Sequence, residues 1–342
     1  MKVKLFRFAC VSGLAGLAAC SPAQTPARPA AVSASVPASS APAPVTQTGP
    51  HWLRLLNQYR LANGLKPVVE DPTLSAADRK HAQYLVKNQV GFSAGGNMHN
   101  EDKSNHWYTD QGYWAGHSGN VLLSSFRVSQ SQAIEGWVGA PFHGLAMLAP
   151  DLHTSGFGSF CESGKCAAVL STGHLSELRG SAAIRDIPQF DYDSDAPEKR
   201  NKLVLETPVR WPAPGTSIVD GGFNGQEWPN PLSACPGYQA PTGVVIFASF
   251  GRDFVAEAVP QSLTCNGAPI EHCVVNANNY TSPDPTQVRA ATGSLKYFAA
   301  VLLIPRKPIA EGSKCEVSMT VEGAETQWSF SVRQDTTEVE DQ

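Results

Sequence analysis

The sequence predicts an α+β domain followed by an all-β sandwich, and three observations predict it. Apolar residues recur at helical spacing over residues 51–88 and again over about residues 131–148. A hairpin pattern follows, which places helices first and strands after them within one domain. From about Leu203 onward, short β-rich runs alternate with Pro and Gly turns.

Residues 1–20 read as an export leader. Lys2, Lys4 and Arg7 give a basic start, and the apolar run from Phe8 to Ala19 is too short to cross a bilayer as a helix. It closes in "LAAC", which resembles the lipobox of bacterial lipoproteins. The resemblance implies that Cys20 is the acylated first residue of the mature chain and that the membrane is a partner through this lipid. Ser21 stands where an aspartate would retain such a protein in the inner membrane of a Gram-negative cell, so an outer-membrane anchor is expected in such a host. Residues 21–50 are mostly Ser, Pro, Ala, Thr and Val. They bury too little apolar surface to offset ordering entropy and read as a disordered tether. The net charge is −4 and no basic cluster stands out, so nucleic acid is not an expected partner.

In "HWLRLLNQYRLANG", Trp52, Leu55, Leu56 and Tyr59 form one helical stripe, with Gly64 placed for a left-handed residue past its end. In "DPTLSAADRKHAQYLVKN", Ser75 is the expected N-cap, and Ala77, His81, Tyr84 and Leu85 are the inner stripe. Residues 91–120 are polar and rich in Gly, Asn and His, and read as a long loop. A third helix is expected over Ser131–Val138 with Ile134, Trp137 and Val138 inward, and a short helical turn over "FHGLAML". "TSGFGSF" and "CAAVLST" form a hairpin around "ESGK".

The second region contains "TSIVDGGF", "GVVIFASF", "HCVVNANNY", "KYFAAVLLIP", "CEVSMTV" and "QWSFSV". Their regular spacing argues for a sandwich of immunoglobulin or fibronectin type. The expected first domain is 51–185 and the second 203–335, with "DIPQFDYDSDAPEKRN" at the boundary and an acidic tail, "TTEVEDQ", as a solvated end.

Of eight cysteines, Cys10 leaves with the leader and Cys20 is the lipid site. The other six argue for disulfides in an exported chain, although fifteen connectivities are possible. Two close pairs suggest themselves, Cys161 with Cys166 and Cys265 with Cys273, which leaves Cys235 with Cys315. The spacings fit a zinc ribbon poorly.

The blocks "LLNQYRLANGLKPVVEDPTLSAADRKHAQYL" and "AIEGWVGAPFHGLAMLAPDLHTSGFG" occur in the order found in the CAP superfamily of sperm-coating and pathogenesis-related proteins. The chain resembles these proteins over about residues 51–175. The resemblance implies an α-β-α sandwich with a cleft lined by two histidines and two acids. The family's "PGH" histidine falls on His143 and the other cleft histidine on His99. The family's "GEN" glutamate falls on His117, and the acid three residues past the helix tryptophan on Ala140. Neither acid is present at its place, and Glu101 and Glu135 lie nearby in sequence.

"GHSG" around Ser118 invites a reading as an esterase nucleophile elbow. No apolar strand leads into it and Asn120 stands where that motif wants glycine, so this reading is set aside. His99, His117 and His143 are candidate ligands of a divalent metal such as zinc, since imidazole and carboxylate suit that ion, and Glu101 completes the set. A polar, hydrogen-bonded cleft without metal is the other reading of the same residues. His81 and Trp137 read as core residues, Glu135 as a solvated helix residue, and His106 and His153 as surface residues.

Three functions are expected from these features. The first is a lipid-anchored envelope protein binding a lipid or envelope polymer in the His-lined cleft. The second is a metal-assisted hydrolase acting on a peptide or envelope polymer through the His99/His117/His143 cleft, with His99, Glu101 and His143 as candidate catalytic residues. The third is an adhesive or structural protein acting through the sandwich.

Overall fold

A computed structural model describes residues 49–93, 96–173, 202–219 and 221–333. The expected leader with Cys20, all but the end of the expected tether, the Asp/Pro-rich stretch expected as the boundary and the acidic tail lie outside these residues.

Helix α1 spans His51–Ala62 and buries Trp52, Leu53 and Leu56 together with Asn57 and Arg60. The inner face is therefore turned from the expected one: Leu55 and Tyr59 are half-buried. The reason is that both polar residues have complete hydrogen bonding inside. Asn57 Nδ2 donates to Val68 O at 2.9 Å, and Val68 N donates to Asn57 Oδ1 at 2.7 Å. The Arg60 guanidinium donates to the carbonyls of Lys66, Met147, Ala149 and Leu152. Gly64 has φ +71°, the left-handed conformation expected past the helix end.

Helix α2 spans Pro72–Asn88. Its cap is Asp71, which accepts from Thr73 N, and not Ser75. Asp71 followed by Pro72 starts the helix one turn earlier, because proline fits the first turn and aspartate satisfies a free N–H. Ser75 is inside the helix and its hydroxyl donates to Glu70. Ala77, His81, Tyr84 and Leu85 are buried as expected, with Asp78 beside them.

The expected long loop contains helix α3, Asp110–Ser118, capped by the Thr109 hydroxyl. Its polarity and its two glycines hid the helical period. Those glycines let α3 lie directly on α2 and its partners: a Cβ at Gly116 would stand 2.4 Å from His81 Cε1, and one at Gly112 2.5 Å from Glu101 Oε1. Helix α4, Gln130–Gly139, starts with a capping box of Ser129 and Gln132 and turns Ile134, Trp137 and Val138 inward. Helix α5 is Pro141–Met147.

Strands β1 (Val69–Glu70) and β3 (Thr154–Ser155) pair in parallel. A three-stranded antiparallel sheet orders β2 (Gly119–Ser124), β5 (Lys165–Ser171) and β4 (Phe157–Glu162). The β4–β5 hairpin is the expected one. Successive β5 residues face opposite layers. Ala167 and Val169 pack with α2 and α3 residues Leu85 and Trp114, while Ala168 and Leu170 join α1 and α4 residues Trp52 and Ile134. The first region is thus an α-β-α sandwich.

The second region is strand-rich. One antiparallel sheet orders β13 (His272–Val275), β14 (Ala300–Pro305), β10 (Ile246–Arg252) and β6 (Leu203–Trp211). The other orders β12 (Ala268–Pro269), β11 (Ala258–Cys265), β15 (Lys314–Val321), β16 (Ala324–Val332) and β7 (Ser217–Ile218), the last pair parallel. A small pair joins β8 (Gly222–Phe223) to β9 (Thr242–Gly243). Helix α6, Pro285–Tyr297, was not expected; Asp284 caps it ahead of Pro285. The run "KYFAAVLLIP" therefore begins at the end of this helix and becomes strand only from Ala300.

Three disulfides are present among the described residues. Cys161–Cys166 is the expected one, but the others are Cys235–Cys273 and Cys265–Cys315, in place of Cys265–Cys273 and Cys235–Cys315. Cys265 and Cys315 stand opposite each other in the β11–β15 register, while Cys273 lies in the other sheet. Closeness along the chain was the wrong guide because the chain changes sheets between Pro269 and His272.

One buried cluster runs through both regions, from Trp52, Leu56 and Leu148 through Trp211 and Phe247 to Val317 and Trp328. Phe247 packs beside Gly144 of α5, and Arg210 N donates to Asn63 Oδ1 at the end of α1.

Candidate functional site

A cleft of about 1250 Å³ opens where α3 and α5 meet α6 and the loop before the Pro231–Ala234 turn. Its walls include Phe142, Ala146, Leu152, Trp228, Tyr297 and Phe298, and its polar groups include His99, His117, His143, Asn120 and Arg289. The structure thus brings all three predicted histidines to one cavity.

The segment carrying His99 is pinned to α2 by a buried pair. His81 Nδ1 is 2.9 Å from Glu101 Oε1, and its Nε2 is 2.8 Å from Met98 O. Both side chains are wholly buried. Glu101 Oε2 also accepts from Thr109 N, next to the start of α3. Glu101 therefore serves the scaffold beneath the cleft; it is not on the cavity wall, contrary to its expected place among the site residues. His81 is the core histidine the sequence predicted.

His99 Nδ1 donates to Gly116 O at 2.7 Å, and the His99 backbone N–H donates to Asn97 Oδ1. Burial pushes its pKa down to about 4, against the pull of the Gly116 carbonyl and with smaller help from neighbouring histidines. His117, in the last turn of α3, donates from Nδ1 to Tyr113 O at 3.1 Å, and its ring lies 4.2 Å from that of Tyr113. Burial also lowers its pKa. Both rings are therefore neutral at pH 7.

His143, in the first turn of α5, faces a residue from the other region. Its Nδ1 is 3.1 Å from Glu227 Oε1. The same oxygen accepts from Phe142 N at 2.7 Å and from His143 N at 3.3 Å. The Glu227 side chain is wholly buried, and its Oε2 has no hydrogen-bond partner among the described residues. Burial raises the Glu227 pKa, while His143 and the two backbone N–H groups pull it back. Ala140 leaves the cleft without the acid the family resemblance places there, and Glu227 brings a carboxylate to the same histidine from 84 residues further on.

The three histidines are not arranged as a metal triad: among the described residues, no group of three or more His, Cys, Asp or Glu could hold a metal ion. Glu135 is exposed on α4 and is not on the cleft wall. His106 and His153 are exposed and Trp137 is in the core, as expected. Ser118 lines the cleft, but its hydroxyl donates to Trp114 O at 3.0 Å, and the chain runs there from helix into strand, the reverse of an esterase elbow.

Sequence reasoning missed Glu227, Trp228 and the α6 residues Arg289 and Tyr297. The one signal for the first two was an acid beside a tryptophan in the Gly/Pro-rich run "GFNGQEWPNP"; no spacing tied it to His143.

No helix among the described residues is long and apolar enough to cross a membrane. No curated protein matches the chain. The profile of the cysteine-rich secretory protein family, CAP, matches residues 53–171, the stretch that folds as the α-β-α sandwich and supplies the three cleft histidines, so this chain carries a CAP domain.

Proposed function

We propose that this protein is an envelope lipoprotein, anchored through acylated Cys20 in the outer membrane, whose CAP domain and strand-rich region together bind an amphipathic lipid-like ligand. The observation that carries the reading is the cleft itself. A cavity of about 1250 Å³ with aromatic and aliphatic walls and a few convergent polar groups is the usual form of a small-molecule site. The acyl-chain part of such a ligand matches Phe142, Ala146, Leu152 and Phe298, and its polar end matches the histidines and Arg289.

The test is native mass spectrometry of the full-length protein extracted in mild detergent, with lipid analysis of the released small molecules. A stoichiometric co-purifying amphiphile, lost in a Phe142→Ala, Phe298→Ala double variant, is the expected result. A cleft that is empty and that takes up no added long-chain amphiphile saturably would overturn the ligand reading. For the anchor, the intact mass of the mature chain decides: any N-terminus other than acylated Cys20 removes it.

A further inference from the structure

The three cleft histidines share one arrangement. His99 Nδ1 faces the carbonyl of Gly116 and His117 Nδ1 faces the carbonyl of Tyr113. A carbonyl only accepts, so in each ring Nδ1 carries the hydrogen and Nε2 of the neutral ring is bare. For His143 the partner is a carboxylate oxygen that already accepts two backbone N–H groups. Glu227 Oε1 is thus the acceptor, and the hydrogen between it and Nδ1 sits on nitrogen.

A purely structural role for Glu227 leaves one thing unaccounted for. An uncharged acceptor could serve the N–H groups of Phe142 and His143, whereas a buried carboxyl with one oxygen unpartnered is costly. A charged acceptor holds an imidazole N–H in a fixed orientation more strongly than a neutral one does, which offsets that cost.

We infer that Glu227, supplied by the strand-rich region, is a positioning residue that holds His143 as its Nδ1–H tautomer, so that the cleft offers Nε2 of His143 as an acceptor to a hydroxyl or amide hydrogen of the ligand. The inference rests on the cleft being a ligand site. It adds that the ligand's polar end is a hydrogen-bond donor and that the CAP domain alone does not complete the site.

The experiment is imidazole ¹⁵N–¹H NMR on the full mature chain at neutral pH, without ligand. The wild-type spectrum is expected to show His143 as the Nδ1–H tautomer. Glu227→Gln, whose amide oxygen can still accept, should largely retain it; Glu227→Ala should release the ring to Nε2–H or a mixture. The His81 resonances, set by Glu101 and Met98, report that the fold is intact. A wild-type His143 that is Nε2–H, or an alanine variant with an unchanged tautomer, overturns the role of Glu227. Should the alanine variant not fold, the wild-type spectrum still decides.

A second measurement reads the ligand chemistry with 1-dodecanol and dodecyl methyl ether, which share a tail but differ in the hydroxyl hydrogen. The alcohol is expected to bind roughly fivefold more tightly, the worth of one net hydrogen bond, and to lose that advantage in Glu227→Ala. Equal binding of the two by the wild type overturns donor recognition. Failure of both to bind counts against the amphiphile reading of the cleft, while the tautomer measurement judges Glu227 by itself.

Discussion

The Ser171 hydroxyl donates to Asp78 Oδ1 at 2.8 Å, and both residues are wholly buried where α2 crosses the end of β5. Ser171 N donates to the other oxygen at 3.3 Å. Burial pushes the Asp78 pKa well above its ordinary value, and the two Ser171 bonds only partly restore it. The folded chain therefore keeps a proton that the unfolded chain has released, over the window from the ordinary aspartate value up to the raised one. Stability linked to this group is full below about pH 4 and falls as pH rises through that window. Urea unfolding of wild type and Asp78→Asn from pH 4 to 8 should show the difference between them changing with pH; parallel profiles would refute the linkage.

Arg60 closes the C-terminal end of α5 by donating to Met147 and Ala149 carbonyls, and holds Leu152 and Lys66 as well. Burial lowers its pKa only to about 10, so it is charged at neutral pH. Arg60→Leu strands several buried carbonyls, and Arg60→Lys lacks the planar fork that reaches them. Each is expected to lower unfolding free energy by about 3 kcal/mol or more, measured by chemical denaturation.

Gly116 is a packing position in α3. An added Cβ meets the ring of His81, which is itself fixed by Glu101 and Met98. Gly116→Ala should cost about 1–3 kcal/mol despite alanine's better helix propensity. A variant with an unchanged melting temperature would show that α3 stands further from α2.

The disulfides should differ in worth by the loop each closes. Replacing both cysteines of Cys235–Cys273, 38 residues apart, is expected to cost about 4 kcal/mol, against about 2 for Cys161–Cys166, only 5 apart. Peptide mapping without reduction should recover a Cys235–Cys273 peptide; recovery of Cys265–Cys273 instead would contradict the sheet pairing.

Much of the CAP part was legible because its elements are local. The stripe Ala77, His81, Tyr84 and Leu85, the Gly64 turn and the β4–β5 hairpin each follow from neighbours in the chain. Asn57 and Arg60 misled the reading of α1, since a period count cannot know that carbonyls 87 or more residues away will satisfy a guanidinium. Helix α3 was hidden because glycine is a weak helix former yet the only residue that fits against His81. The three cleft histidines were found through family motifs, but Glu227 and α6 were not. Their place depends on how two regions dock, which no local pattern encodes.

The buried cluster linking Leu148 and Phe142 to Phe247 and Trp211 also bears on how such a protein can be re-engineered. Swapping the strand-rich part for that of another protein would expose a greasy seam on the helical part and remove one wall of its cavity. Any chimera must therefore transplant Glu227, Trp228 and the face of α6 along with their matching helices, as a single inheritance.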